Sequence, residues 1–511
     1  MSRYNNVNNL LNSRSYSHMN NIPIRSIRVN IHFQRMSYAV ISLILILASH
    51  ISIAEYNLPN IGGPASEGLS ISKEIELGQI LISQVRAYLP VSNDPELSQY
   101  IHSLGTRITS SGLNSNFPFT FVLIQNPDVN AFALPGGIVA INSGLLALSE
   151  NESEVASVFA HEIAHVTQRH IARKFANAKS FSVVSALTLL GSILAAAYGG
   201  GELGQAAIIT TQSALQERQL AYSRSFEQEA DRVGMQFLVN ANIDPQGMPA
   251  FFEKLNKHTQ LNRGQIPEFL SSHPLTLSRI SESKTRANQY KGTFTTNTIH
   301  FDYAKARSIA FTTKPSQLVD YFRKKIKTPK SLSDTEIYSY ALALSRSGKN
   351  QQALQQLKLI PLNTDNELTI KLAKAQIQIV DGQYTKAEES LKSLEQIYPS
   401  NPSVIYYLAT SLTENGNAQL ALQKLDRLYN SHLKNPAFDK LKAKAASKAN
   451  LPWLSHESLS DYYAAHGQYG TAMEQIQLSL RASGIDSNSK ARVEAKRELI
   501  REARKKRESF K

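Results

Sequence analysis

Cysteine is absent from the 511 residues. That excludes disulfide staples, thiolate zinc sites and a cysteine nucleophile, and leaves His, Asp and Glu to hold any metal. It does not fix the redox compartment, because exported chains can also lack cysteine. Acidic residues are absent from the first 54 positions, where Arg3, Arg14, Arg25, Arg28 and Arg35 carry the only formal charges. Long apolar runs are scarce, and two stand out, at 38–48 and 180–198.

The net charge of +14 would suit a nucleic-acid partner, but its placement argues otherwise. Part of it lies in the N-terminal segment. Another part closes the chain as Arg501, Arg504, Lys505, Lys506 and Arg507, with Glu494, Glu498 and Glu502 interleaved at helical spacing. That alternation reads as a solvated helix, with contact to an anionic membrane surface as the alternative. No nucleic-acid partner is expected.

Residues 1–54 read as a signal segment. Arg35 precedes the apolar run, which is too short for an ordinary membrane span, and Ser52-Ile53-Ala54 supplies small residues for cleavage after Ala54. Met36 offers a later start, and retention as an anchor is the alternative. The reading gives export across the inner membrane to the periplasm.

Beyond the leader, Leu77 to Tyr88 and Pro95 to Thr109 have helical apolar spacing, the second with Asp94 as its cap. Phe117 to Ile124 reads as a strand. Asn130 to Ala133, Pro135-Gly136-Gly137 and Ile138 to Ile141 read as strand, turn, strand. Asn151 to Lys174 predicts one long helix, and Gln216 to Asn240 another. The stretch 180–198 is long enough to span a bilayer. A single crossing would separate His161 from Glu227, so a buried or re-entrant hairpin, or a lid, is expected. Peripheral membrane contact and an integral membrane protease remain the alternatives.

The C-terminal part repeats. Gly348, Gly382 and Gly416 are 34 residues apart, Ala353, Ala387 and Ala421 follow them by five, and Ala341, Ala375 and Ala409 precede them by seven. Gly467 and Ala472 renew the pattern after a longer interval. A 34-residue period with a turn glycine and small residues at helix crossings predicts tetratricopeptide repeats, an α-solenoid that binds peptides or proteins.

Chemistry concentrates in His161-Glu162-Ile163-Ala164-His165. Residues four apart share a helix face, so both imidazoles can meet one metal ion, and Glu162 can deprotonate a water that the metal activates. The pentapeptide alone is only moderately specific. A third ligand is available in Glu227, and Asp231, one turn on, can fix an imidazole tautomer. Taken alone, both also fit an ordinary charged helix face. Glu229 points elsewhere and reads as solvated. His170, five after His165, leaves the metal face and reads as structural, and Arg279 as a helix-surface or ion-pair residue.

Together with Asn130 to Gly137, Val166 to His170 and Ser272-His273-Pro274-Leu275, these motifs resemble the gluzincin family of CAAX prenyl endopeptidases, stress proteases and periplasmic relatives. The resemblance implies an α+β, mainly α fold: a zincin-type catalytic domain with a small sheet over 55–300, then the repeats over 301–511. It implies one Zn2+ held by His161, His165 and Glu227, with Glu162 as base and Asp231 in the catalytic set. It implies a strand at Asn130, Ala131, Phe132 and Ala133 that aligns an extended substrate, and His273 as a fourth ligand that keeps the site latent. The periplasmic relatives imply unfolded or misassembled protein substrates, chaperone-like repeats, and a role with the outer-membrane β-barrel assembly machinery. A mainly adaptor role with a latent site is the alternative. One relative's repeats carry a disulfide that cannot form here, so repeat packing is expected to differ in detail.

Overall fold

The computed structural model describes residues 69–111, 117–176, 224–261, 267–327, 331–428 and 435–509. The expected signal segment, its Ala54 cleavage site and the stretch 180–198 lie outside them. Among the described residues, no helix is long and apolar enough to cross a membrane.

The first two helices are α1 (Ile71–Tyr88) and α2 (Pro95–Ser110). Asp94 caps α2 as expected: its carboxylate accepts from the Leu97 amide at 2.9 Å, and Pro95 stands in the first turn. A three-stranded sheet follows, of β1 (Thr120–Ile124), β2 (Ala131–Leu134) and β3 (Ile138–Asn142), in the order β1-β3-β2. β1 runs parallel to β3, while β2 and β3 form an antiparallel hairpin. The hairpin closes through Gly136 and Gly137 at φ +82° and +86°, a conformation that glycine adopts without steric cost. Gly78 of α1 packs on this turn so closely that a Cβ there would meet the Gly136 Cα at 2.8 Å. β2 is left at the edge of the sheet.

After the short α3 (Ser143–Leu148) comes α4 (Glu152–Thr167), whose residues Glu152 to Val166 are all buried. A helix buried all round needs partners on every side. They are the sheet, α2, α6 (Arg224–Asn240) and α7 (Gly247–Leu261). Phe121, Val139, Ile141, Phe159, Ile163 and Phe251 share this core. Gly234 sets the crossing of α6 over α4, since a Cβ there would lie 3.0 Å from the Ala160 carbonyl and the His161 nitrogen.

The single helix expected from Asn151 to Lys174 is in fact two. α4 stops at Thr167, Arg169 takes φ +54°, and α5 (His170–Ala176) starts afresh. The Arg169 guanidinium is held by Glu74 of α1, Nε to Oε1 at 2.8 Å, and by the Leu69 carbonyl. These tertiary contacts fix a left-handed residue that helical periodicity cannot anticipate.

The N-terminal half closes with α8 (Glu268–Ser272) and α9 (Leu277–Ala287). α10 (Ile299–Thr312) gives Phe301 and Ala304 to this core and Tyr303 and Ala310 to the next. α11 (Pro315–Ile326) leads into the repeats. Their helices are α12 (Asp334–Arg346), α13 (Asn350–Leu357), α14 (Glu367–Val380), α15 (Tyr384–Ile397), α16 (Pro402–Glu414) and α17 (Ala418–Asp426). Then come α18 (Pro436–Lys448), α19 (Pro452–Ala465), α20 (Tyr469–Arg481) and α21 (Ser487–Ser509). The sequence period has a direct structural cause. Gly348, Gly382, Gly416 and Gly467 end helices at φ between +68° and +86°. Ala341, Ala353, Ala375, Ala387, Ala409, Ala421 and Ala472 are fully buried where helices cross.

Of the repeats, α16 and the residue that caps α18 meet α2. Ser403 donates to Gln99 at 2.7 Å, Tyr407 to Glu96 at 3.1 Å, and Asn435 to Ser98 at 3.0 Å. At the seam, Arg307 of α10 is fully buried. It reaches Asp94 at 2.7 and 2.8 Å, Glu96 at 2.9 Å, Tyr338 at 3.0 Å, Gln376 at 2.9 Å and Tyr407 at 2.7 Å.

Candidate metal centre

α4 presents His161 and His165 one turn apart, with their Nε2 atoms 3.0 Å from each other. The crossing at Gly234 brings Glu227, near the start of α6, onto the same point. Its Oε2 lies 3.4 Å from His161 Nε2 and its Oε1 3.4 Å from His165 Nε2. His273, just past α8, adds Nδ1 at 3.2 Å from His161 Nε2 and 3.1 Å from Glu227 Oε1. The four donor atoms lie within 4.8 Å of one another, and all four residues are buried.

This geometry fits a cation. Metal–ligand bonds of roughly 2.0–2.1 Å at tetrahedral angles separate ligand atoms by about 3.3 Å. Hydrogen bonding alone cannot account for three imidazole nitrogens and a carboxylate oxygen aimed at one point, because each neutral ring has one N–H. The donor set, nitrogen and oxygen without sulfur, suits a first-row divalent ion.

Glu162 is fully buried beside the cluster, with Oε1 3.3 Å from His273 Nε2. Neither of its oxygens completes a hydrogen bond, although the Ala133 amide of β2 faces it. Burial raises its pKa, and His273 and His161 only partly oppose the rise. Burial acts the same way on Glu227, but there His273, His161 and His165 prevail and hold the carboxyl well below its usual range. Burial drives His165 well below the ordinary histidine value. His161 is depressed by burial too, yet Asp231 and Glu227 lift it to about 9.

The outer contacts fall into two sets. Asp231 Oδ1 lies 3.0 Å from His161 Nδ1. Arg279 grips Asp231 through Nε at 2.7 Å and Nη2 at 2.8 Å, and its Nη1 reaches Glu227 at 2.9 Å and the Pro274 carbonyl at 2.8 Å. On the other side, His170 Nδ1 lies 2.8 Å from His165 Nδ1, and its Nε2 lies 3.2 Å from Glu229. Arg173 donates to Glu229 at 2.8 Å.

The structure therefore brings His161, His165, Glu227 and His273 together, with Glu162 and Asp231 against them. Ala131, Phe132 and Ala133 lie in edge strand β2, and the Ala133 backbone faces Glu162. Asn130 precedes the strand, buried, its carbonyl accepting from the Asn142 amide at 2.9 Å. Three readings need correction. Arg279 is an ion-pair residue, as one alternative had it, but it is buried and not on the surface. Glu229 is not simply solvated, because it joins Arg173 and His170. His170 returns to the metal side because α4 breaks before it. The break lies at Arg169, whose positive φ no local sequence pattern marks.

Comparison with known proteins agrees with this architecture. Residues 93–287 match the model of peptidase family M48, and residues 380–445 match a tetratricopeptide repeat. The beta-barrel assembly-enhancing protease of Escherichia coli (strain K12) is 32% identical over 455 residues, covering 87% of this chain and 91% of that protein. Its namesake in Yersinia pestis is 40% identical over 250 residues, 49% of this chain and 51% of that protein. A putative beta-barrel assembly-enhancing protease of Vibrio cholerae is 41% identical over 253 residues, 50% of this chain and 52% of that protein. With four buried residues able to hold a metal at the centre of its catalytic half and repeats behind it, this chain belongs to peptidase family M48, as a homologue of the beta-barrel assembly-enhancing proteases.

Proposed function

We propose that this metallopeptidase is a zinc endopeptidase of the periplasm that cleaves unfolded or misassembled outer-membrane β-barrel proteins. The observation that carries the catalytic part is the convergence of four buried donor atoms with Glu162 at their side. The periplasmic and outer-membrane part rests on the relatives' names and on the basic, apolar N-terminal segment.

His161, His165 and Glu227 would hold the zinc, which would supply Lewis acidity and lower the pKa of water to about 7. Glu162 accepts the proton of the attacking water and passes it to the leaving amine. Burial favours this role, since a raised carboxyl pKa makes a stronger base. Asp231, with Oδ1 3.0 Å from His161 Nδ1, favours the tautomer of His161 that carries its proton there, and Arg279 holds Asp231 in place. The extended substrate lies along β2, whose outer edge no other strand of the described residues pairs. Asn130 marks the start of that track, and Ala131, Phe132 and Ala133 offer its backbone groups. The repeats recruit the assembly machinery or the client.

The decisive variant is Glu162→Gln. Cleavage of an unfolded protein should fall by roughly 10²–10⁴-fold while zinc content stays at about one per chain. Unchanged cleavage would remove Glu162 from the mechanism.

A second reading concerns regulation. His273 Nδ1 takes a place among the ligands, and its Nε2 faces the base, so the ring stands where a nucleophilic water is needed. The chain then acts mainly as a chaperone-like adaptor whose peptidase is shut until His273 withdraws. Under this reading His273→Ala raises turnover of an unfolded substrate several-fold, whereas equal or lower turnover excludes latency through this ring.

A further inference from the structure

We infer that His170 is a positioning residue for the metal centre: it takes the Nδ1 proton of His165 in a hydrogen bond and hands the polarity on to Glu229 and Arg173. The inference rests on the metallopeptidase reading and adds three residues that it does not use.

The bond directions follow from counting protons. His165 aims Nε2 at the cluster, so its lone pair must be there and its proton on Nδ1. That N–H meets His170 Nδ1 at 2.8 Å, which must accept. The proton of His170 then belongs on Nε2, which faces Glu229 Oε2 at 3.2 Å. The same carboxylate oxygen accepts from Arg173 Nη1 at 2.8 Å. Each bond points away from the metal, and the chain ends on a carboxylate balanced by a guanidinium. Reversing any one bond would set two N–H groups, or two lone pairs, against each other.

His161 has the same arrangement in shorter form. Its Nδ1 meets Asp231 directly, with Arg279 behind. His165 reaches its carboxylate through one intervening ring. That ring is fixed on its other faces too. Phe226 stacks on it at 4.5 Å and 9°, and the Arg173 guanidinium lies 4.7 Å from the Phe226 centroid. The left-handed Arg169 makes the placement possible. On an unbroken helix a residue five after His165 would turn well away from it.

The test measures zinc affinity of the full-length chain by competition with a chromophoric chelator, and the visible spectrum of its Co2+ form. The set is parent, His161→Ala, His170→Leu and His170→Asn. His170→Leu should bind zinc about 10–100-fold more weakly and shift the Co2+ bands, with the far-UV spectrum of the metal-free chain intact. His170→Asn places an amide oxygen where Nδ1 was and should recover affinity to within about 3-fold of the parent. Parent-like affinity in His170→Leu, or no recovery in His170→Asn, overturns the inference. If His170→Leu does not fold, Glu229→Leu takes its place, with at least about 3-fold weaker binding expected and none overturning it. A parent that binds zinc no better than His161→Ala would instead sink the metal site itself, and this inference with it.

Discussion

The charge cluster at Arg307 and the one at the metal centre differ in how completely they close. At the seam between the catalytic half and the repeats, each nitrogen of Arg307 meets an acceptor from Asp94, Glu96, Tyr338, Gln376 or Tyr407. At the metal centre, nitrogen faces nitrogen and the Glu162 oxygens complete no hydrogen bond. The first cluster is electrostatically finished and serves as structure. The second has surplus lone pairs that only a cation or a reacting proton can use. A perturbed pKa marks both, so it is the balance of donors and acceptors that separates scaffold from site.

Removing one partner of the finished cluster should give the largest effect on stability. Arg307→Ala leaves two buried carboxylates without their cation and should cost about 3–5 kcal/mol in denaturant unfolding, while the folded fraction still binds zinc. A change under about 1 kcal/mol would mean that the seam is not closed in the way described.

A smaller effect should appear in pH dependence. Burial pushes Glu96 up to about 7, and Arg307 only partly opposes it, while Asp94 adds to the rise. The folded chain therefore holds this proton more tightly than the unfolded one. The stability it brings is complete below the ordinary carboxylate range and is lost as pH climbs through about 7. Glu96→Gln should flatten the fall of the unfolding midpoint between about pH 5 and 8. An identical slope in parent and variant would assign that fall to other groups.

Much of this was legible in the sequence. The pentapeptide from His161 to His165, with Glu227 and Asp231 at helical spacing, announced the centre because metal binding demands particular residues at particular separations. The repeat glycines were legible because each ends a helix at positive φ. The supports were not. Glu229 and His170 act through contacts that depend on where α4 ends, and Arg169 ends it through an ion pair with Glu74, 95 residues earlier, while Arg279 meets Asp231 from 48 residues away in sequence. Arg307 was silent for the same reason: its partners come from Asp94 to Tyr407, and no local pattern links them.

The attachment of α2 to the repeats has one more consequence. Ser403, Tyr407 and Asn435 spend their polar groups on this helix of the same chain. That stretch of the array thus arrives with a resident guest, and a visitor seeking the same three side chains would have to displace a helix of the same chain.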